Sequence, residues 1–586
     1  MNTSTLLVLI GVSLLASSAS AKIVLVRDGQ PACTIVIAPD ASEREKAGAT
    51  DLQLYLGKMS GAKVPIGTDT SVTGNRILIG VSGHPPVDAW KGDRPGRDAF
   101  AIETRPRKGG GTDLFLVGGD QRGAEYAVYE LLERFLDVRW YMPCDVGEDV
   151  PEHKTIQLGA LKWRNRPDYE AIGGLIWSGG PGADDWLRRN KGDVGSPGYF
   201  FGHNWHNVIT SNEENKKAHP EWFALQPDGT RSNQLCTSNP DVIRISIEKA
   251  REYFEKNPEA MLFSLSPNDE LNFCTCPACK AVDAQYGVTD ASQTDRFVHY
   301  ANTVLKELKK THPDKLVGIL AYVTHTRPPV SAVPDANYAT IICHTPWEFC
   351  HVHPINDPKC VPNTRFRKMI EGWTKVCKHV SSYDYYGHYY VFGPWPILHD
   401  IRKDVPYLRS IGVTGFMVEA QQHWANQGIN FYLAAKLVWD TDRDSGKLLD
   451  EYYHRFYGPA EKPMRQYWEM WEAAMATQAC AGNGWAAIFT PERMDQAGKL
   501  LDEAERLAKG NDKVTKRLAL NRIGYRFTQA YARMQQYAQA KEFDKADAAG
   551  EEAIKIAEEN QGTQPQAFVW WLVRDQTRYQ MAEYKK

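Results

Sequence analysis

No stretch of the 586-residue chain reaches 18 consecutive uncharged apolar residues, so no segment reads as a membrane-spanning helix. Charge of one sign is missing too. The 69 Lys and Arg against 72 Asp and Glu leave a net charge of −3, which gives neither nucleic acid nor an anionic membrane an electrostatic hold. There is no Gly-x-Ser-x-Gly elbow for a hydrolase serine and no Gly-x-x-x-x-Gly-Lys loop for a phosphate. What is present describes a globular protein. Hydrophobic residues at 42% can build cores, and 24% charged residues is too little for a disordered chain. Seventeen Trp and 27 Tyr are a rich aromatic load, and the eleven Cys leave at least one unpaired if the others form disulfides.

The N-terminus carries an address. Residues 6–15 are a short apolar run, followed by small residues to Ala21, and Ala19-Ser20-Ala21 fits a signal-peptidase site. A leader over residues 1–21, a mature chain from Lys22 and a secreted or periplasmic location follow. About ten apolar residues cannot cross about 30 Å of hydrocarbon, so the leader is no anchor.

Three regions follow the leader. Residues 22–160 read as a small α/β domain: apolar strands at 35–37, 76–80 and 114–118, and a helix capped by Ser42 with Glu45 three residues on. Residues 165–440 alternate strands with amphipathic helices. Eight strand candidates lie at 171–177, 198–205, 234–238, 261–266, 316–323, 338–343, 379–385 and 415–419, a count that predicts a parallel, closed (β/α)8 barrel of TIM type. Residues 445–586 read as an all-helical region with no clean 34-residue period, which suits a cap packed on the barrel better than a repeat array.

Barrel chemistry sits at the carboxyl ends of strands. There the sequence offers Asn268, Asp269 and Glu270 after the fourth strand, Tyr383, Asp384, Tyr385 and His388 at the seventh, and Glu419 and Trp424 at the eighth. Carboxylates from different strands that face each other are what glycosidic cleavage needs: one protonates the leaving oxygen while the other attacks, activates water or stabilises the oxocarbenium-like centre. Asp269 and Glu270 are expected to provide the acid and Glu419 the opposing carboxylate, with Asp384 as the other candidate. His423 and Gln421 are the local donors expected to keep Glu419 ionised. Aromatics and polar side chains at neighbouring ends, His203, Asn204, Trp205 and His206 at the second strand and His344 and Trp347 at the sixth, suit sugar rings and their hydroxyls. His203 and His206 with a carboxylate are a weaker metal alternative, lacking the Glu of a His-Glu-x-x-His motif.

Cys274, Cys276 and Cys279 follow the acidic pair directly. Zinc with a distant fourth ligand fits them, and so does a disulfide to Cys236, Cys343 or another cysteine. Either would rigidify the loop that presents Asp269 and Glu270. No cofactor is called for.

The residues Phe201-Gly202-His203-Asn204-Trp205-His206, His219-Pro220-Glu221-Trp222, Ser266-Pro267-Asn268-Asp269 and Cys274-x-Cys276-x-x-Cys279 resemble the secreted bacterial domain-of-unknown-function family 4838. The first region resembles the small α/β domain that precedes the barrel in α-glucuronidases and β-hexosaminidases. The resemblance implies a barrel related to glycoside hydrolases. On the hexosaminidase pattern Asp269 would orient an acetamido group and Glu270 would be the acid, although the usual His-x-Gly-Gly lead-in is replaced by Ser266-Pro267-Asn268. On the α-glucuronidase pattern Glu270 is the acid, with Asp384 and Glu419 supplying the other carboxylates. The reading is a secreted glycoside hydrolase acting on a polysaccharide or oligosaccharide, of uronic acid or N-acetylhexosamine type. The alternative is a non-catalytic carbohydrate-binding or scaffold protein on a hydrolase-like barrel.

Overall fold

The computed structural model describes residues 22–81, 96–173, 182–192, 201–387, 392–480 and 485–586. The expected leader, His388, residues 174–177 of the expected first strand and 198–200 of the expected second lie outside the described residues. The chain divides into two compact units: residues to Asp137 with Val150–Arg166, and Val138–Asp149 with Pro167–Lys586. Among the described residues no helix is long and apolar enough to cross a membrane.

The first unit is built on a six-stranded mixed sheet, in the order Lys162–Asn165, Phe100–Pro106, Thr112–Gly118, Asn75–Val81, Cys33–Val36 and Ile66–Gly67. Helix Glu43–Ser60 starts in the expected capping box, Ser42 accepting from the Glu45 amide while Glu45 accepts from the Ser42 amide. Its Ala49, Leu52, Leu56 and Met59 are buried. Gly118 ends a strand against helix Gln121–Glu130, where a Cβ would come within 2.0 Å of the Ala124 amide nitrogen. Gly118 therefore serves close strand–helix packing.

The second unit holds a curled, all-parallel sheet. Its strand order is Ala171–Gly173, Gly415–Ala420, His379–Gly387, Tyr338–Cys343, Leu316–Ala321 and Leu262–Ser264. Beyond the last strand, His203 forms a parallel bridge with Ser266. The closed eight-stranded barrel expected from the strand count thus appears, among the described residues, as a half-barrel of six strands. The third expected strand is the main departure. Arg231–Leu235 pairs antiparallel with Phe223–Leu225 as a hairpin around Asp228 and Gly229, the latter at φ +86°. The His203 segment consequently lies beside the fourth expected strand with nothing between them.

Helices Pro240–Lys256, Thr294–Leu308, Val361–Val376, Leu398–Ser410 and Trp424–Trp439 alternate with the parallel strands. The fifth-to-sixth connection has only a single 3-10 turn, Val323–His325, as its prolines foretell. From Ser445 the described residues are helical, ending in Pro491–Leu507, Asp512–Gln539, Phe543–Glu559 and Trp570–Glu583.

Candidate active site

Successive side chains of a strand point to opposite faces, and this alternation sorts the candidates. Cys343, Tyr383, Tyr385 and Met417 pack with Phe201, Leu262 and Leu320 in one buried cluster on the inner face of the curl. Glu419 stands two residues beyond Met417 and shares that face. Its Oε2 accepts a short hydrogen bond from the Tyr383 hydroxyl, and the residue is 5% exposed. Burial, and then the neighbouring Glu419 carboxylate, push the Tyr383 phenol far above its ordinary range, so it stays a donor. Tyrosine thus fills the donor role expected of His423 and Gln421. His423 is fully buried instead, ringed by Phe392 and Phe568, and accepts from the Val569 amide at 3.4 Å; burial holds its imidazole down at about 3.

Asp269 reaches the same mouth from the other flank. Its side chain is 67% exposed, with His203 Nε2 at 3.7 Å from Oδ1. His203 Nδ1 lies 2.6 Å from the Pro267 carbonyl oxygen, and only a protonated nitrogen can satisfy that oxygen. Tyr322, just past the Leu316–Ala321 strand, stacks edge-on with both His203 and Trp347. Its phenol is raised above the ordinary range by burial first, then by Asp269 through charge and a hydrogen bond, with Glu419 contributing. One phenol therefore feels both carboxylates. Cys343 behaves alike: burial raises its thiol well above the usual range, and Glu419, Glu348 and Asp269 add to it. Trp347, 58% exposed, completes an aromatic rim.

The other expected carboxylates are occupied elsewhere. Glu270 accepts from the Asn233 side chain at 2.7 Å, and its carbonyl takes the Gln234 amide, so it ties the loop to the hairpin. Asp384 lies between Tyr383 and Tyr385 and therefore points to the opposite, outer face. It is buried with His344 Nδ1 and His351 Nδ1 each 3.4 Å away and the Tyr385 amide on Oδ1 at 2.7 Å. Burial alone would raise its carboxyl, but the two histidines and the amide hold it below the usual carboxylate range. His344 turns its other nitrogen to Asn363 Oδ1 at 3.1 Å.

Among the expected binding residues, Trp205 and Trp424 are core. Trp205 donates to the Leu265 carbonyl at 2.6 Å and packs on Phe297 and Tyr300, while Trp424 packs edge-on with Trp186 and Phe431. Asn204 donates to the Ser264 carbonyl, and Asn268 is held by Gln234 and Asn233 while its Oδ1 accepts the His206 amide. These polar residues build the turn that carries Asp269. Tyr322 was absent from the expected set, although it closes the 316–323 apolar run just as Glu419 closes its own.

The cysteine loop acquires its fourth member. Cys236, at the end of the hairpin, stands 3.7 Å from Cys276 Sγ and 3.8 Å from Cys279 Sγ, and one sulfur from each of Cys236, Cys274, Cys276 and Cys279 lies within 4.8 Å of the others. The Leu225 amide donates to Cys274 and the Cys279 amide to Cys276. Among the described residues no disulfide joins these four cysteines.

Residues 142–469 match the family described as a domain of unknown function, DUF4838. The chain belongs to that family. No curated protein matches it. Among solved structures it is similar to a family 89 glycoside hydrolase from Clostridium perfringens in complex with its substrate GlcNAc-α-1,4-galactose, at 10% identity and TM-score 0.51, covering 93% of this chain and 70% of that one. It is also similar to a GH138 enzyme targeting pectin rhamnogalacturonan II, at 12% identity and TM-score 0.44 over 95% of this chain and 99% of that one. At such identity the family 89 likeness shows a glycoside-hydrolase-like fold and nothing of the substrate.

Proposed function

We propose that this DUF4838 protein is a secreted glycoside hydrolase whose working carboxylates are Asp269 and Glu419. What supports the reading is that Glu419 lies near the carboxyl end of strand Gly415–Ala420, Asp269 lies in the loop that follows Leu262–Ser264, and both are within electrostatic reach of Tyr322. Glu419 is buried and held by the Tyr383 hydroxyl, which suits a carboxylate that must stay ionised to attack carbon or activate water. Asp269 suits the acid. With His203 Nδ1 donating to the Pro267 carbonyl, its Nε2 faces the Asp269 carboxyl at 3.7 Å. A sugar seated on Trp347 and Tyr322 would exclude water from Asp269 and so favour the protonated carboxyl that the leaving oxygen needs.

The test is a screen of the purified protein on aryl glycosides and polysaccharides, including uronic acid and N-acetylhexosamine types, followed by Asp269→Asn and Glu419→Gln on any substrate found. Loss of roughly a thousandfold or more in kcat from each, with folding intact, supports the assignment. Saccharide binding without turnover across the panel would favour a carbohydrate-binding role on the same fold.

A further inference from the structure

A second cluster of thiols takes no part in the proposed chemistry. Cys350 and His353 belong to the loop after the Tyr338–Cys343 strand, Cys360 caps helix Val361–Val376, and Cys480 follows helix Glu461–Ala476. One ligand atom from each lies within 4.8 Å of all the others. His353 Nδ1 is 3.3 Å from Cys350 Sγ and 3.4 Å from Cys480 Sγ, and Cys480 Sγ is 3.4 Å from Cys360 Sγ.

These separations have a metrical meaning. With zinc–sulfur bonds of about 2.3 Å and zinc–nitrogen bonds of about 2.0–2.1 Å, a tetrahedron puts sulfurs about 3.8 Å apart and a sulfur about 3.5 Å from a nitrogen. The observed values lie close to those edges and far from the roughly 2.05 Å of a disulfide. We propose that Cys350, His353, Cys360 and Cys480 hold a structural zinc ion.

The surroundings brace the ligands. Cys360 occupies the N-cap position of helix Val361–Val376. Asn363, one turn into that helix, accepts the Cys350 amide on Oδ1 and donates to the Cys350 and His353 carbonyls. That bracing of the ligand-bearing loop is what outer groups around a metal site supply. Three thiolates and a neutral histidine leave no open position, so the ion is structural and not catalytic. It would fasten the loop carrying Trp347 to the turn at Cys480, a link of 130 residues in sequence that no hydrophobic periodicity enforces. The cluster of Cys236, Cys274, Cys276 and Cys279 has similar edges and offers a separate place for a second ion. The two must be counted apart.

The experiment measures metal in the full-length protein purified without chelator, by elemental analysis and native mass spectrometry. About two zinc ions per chain are expected. Cys480→Ser and His353→Ala should each lose one, Cys276→Ser should lose the other, and His353→Cys, which restores four ligands, should retain both. Should Cys480→Ser fail to fold, cobalt(II) exchanged into the unaltered protein reports instead. Intense visible bands of tetrahedral cobalt–thiolate, with Cys350, Cys360 and Cys480 shielded from alkylation until chelator is added, support the site. The proposal is overturned if the only zinc present is that removed by Cys276→Ser. Mapping of a Cys360–Cys480 disulfide, or alkylation of these thiols in the metal-loaded protein, overturns it equally. None of these readouts depends on glycosidase activity.

Discussion

The Tyr383 hydroxyl donates to Glu419 Oε2 from the neighbouring strand, so the two residues form one buried acid–phenol unit on the inner face of the sheet. A carboxylate taken out of water needs such a donor to remain charged. Tyr383→Phe removes it while keeping the ring in the cluster with Tyr385 and Met417. On a substrate that Glu419→Gln no longer turns over, Tyr383→Phe should lower kcat by about 10–100-fold with little change in melting temperature, the range expected for one charge-assisted hydrogen bond. An unchanged kcat would remove Tyr383 from the site.

Asp384 is the neighbour that faces the other way. Its carboxylate answers His344 and His351 in a buried pocket behind the sheet, where deleting one member of a paired group costs about 3–5 kcal/mol. Asp384→Ala should therefore depress the melting temperature by several degrees. The activity remaining per folded molecule should stay within about threefold of normal, because nothing at the mouth has changed. A dead enzyme of normal stability would place Asp384 in the chemistry after all.

The strand end at Glu419 is legible because an apolar run stops there in a charged residue. The two-residue period was equally legible: Tyr383, Asp384 and Tyr385 cannot share a face, and Tyr383 and Tyr385 lie with the inner cluster. The lost third strand also had its warning in Pro227-Asp228-Gly229, a turn signal that folds 231–235 back on 223–225. What no local pattern could show was proximity across the chain. Cys480 meets Cys360 over 120 residues, and Cys236 joins its partners over about 40, distances at which only the packed fold brings sulfurs together.

The adjacent acids Asp269 and Glu270 give a separate test, since they look interchangeable in sequence and are not in space. Glu270 is spent on Asn233 while Asp269 faces His203 and Tyr322. Asp269→Asn should cost roughly a thousandfold in kcat and Glu270→Gln less than about tenfold, with the amide of glutamine still able to meet Asn233. His203→Ala should fall between them, because it removes the partner of the acid and leaves the carboxyl. Equal losses for the two acids would mean that the loop rearranges on substrate binding.

The last prediction concerns Asp400, buried in helix Leu398–Ser410 behind the sheet. Burial first, with Asp384 and Glu472 adding to it and His399 and His344 opposing, raises its carboxyl to about 7. Asp404, one turn on, is fully buried too and is raised well above the usual range, by burial and then by Asp400 and Asp384. The folded state therefore binds a proton at Asp400 that the unfolded chain releases near the ordinary value of 3.8. Between those two values the native state holds more protons than the unfolded state, so this residue's contribution to stability falls as pH rises and is fully lost above about 7. Asp400→Asn keeps the shape of the neutral acid and removes the titration. Its melting temperature relative to the unaltered protein should thus climb between about pH 5 and about pH 8, measured in the same buffers with zinc present throughout. A difference that stays flat across that window would mean that Asp400 is ionised in the fold, held by His399 at 3.4 Å.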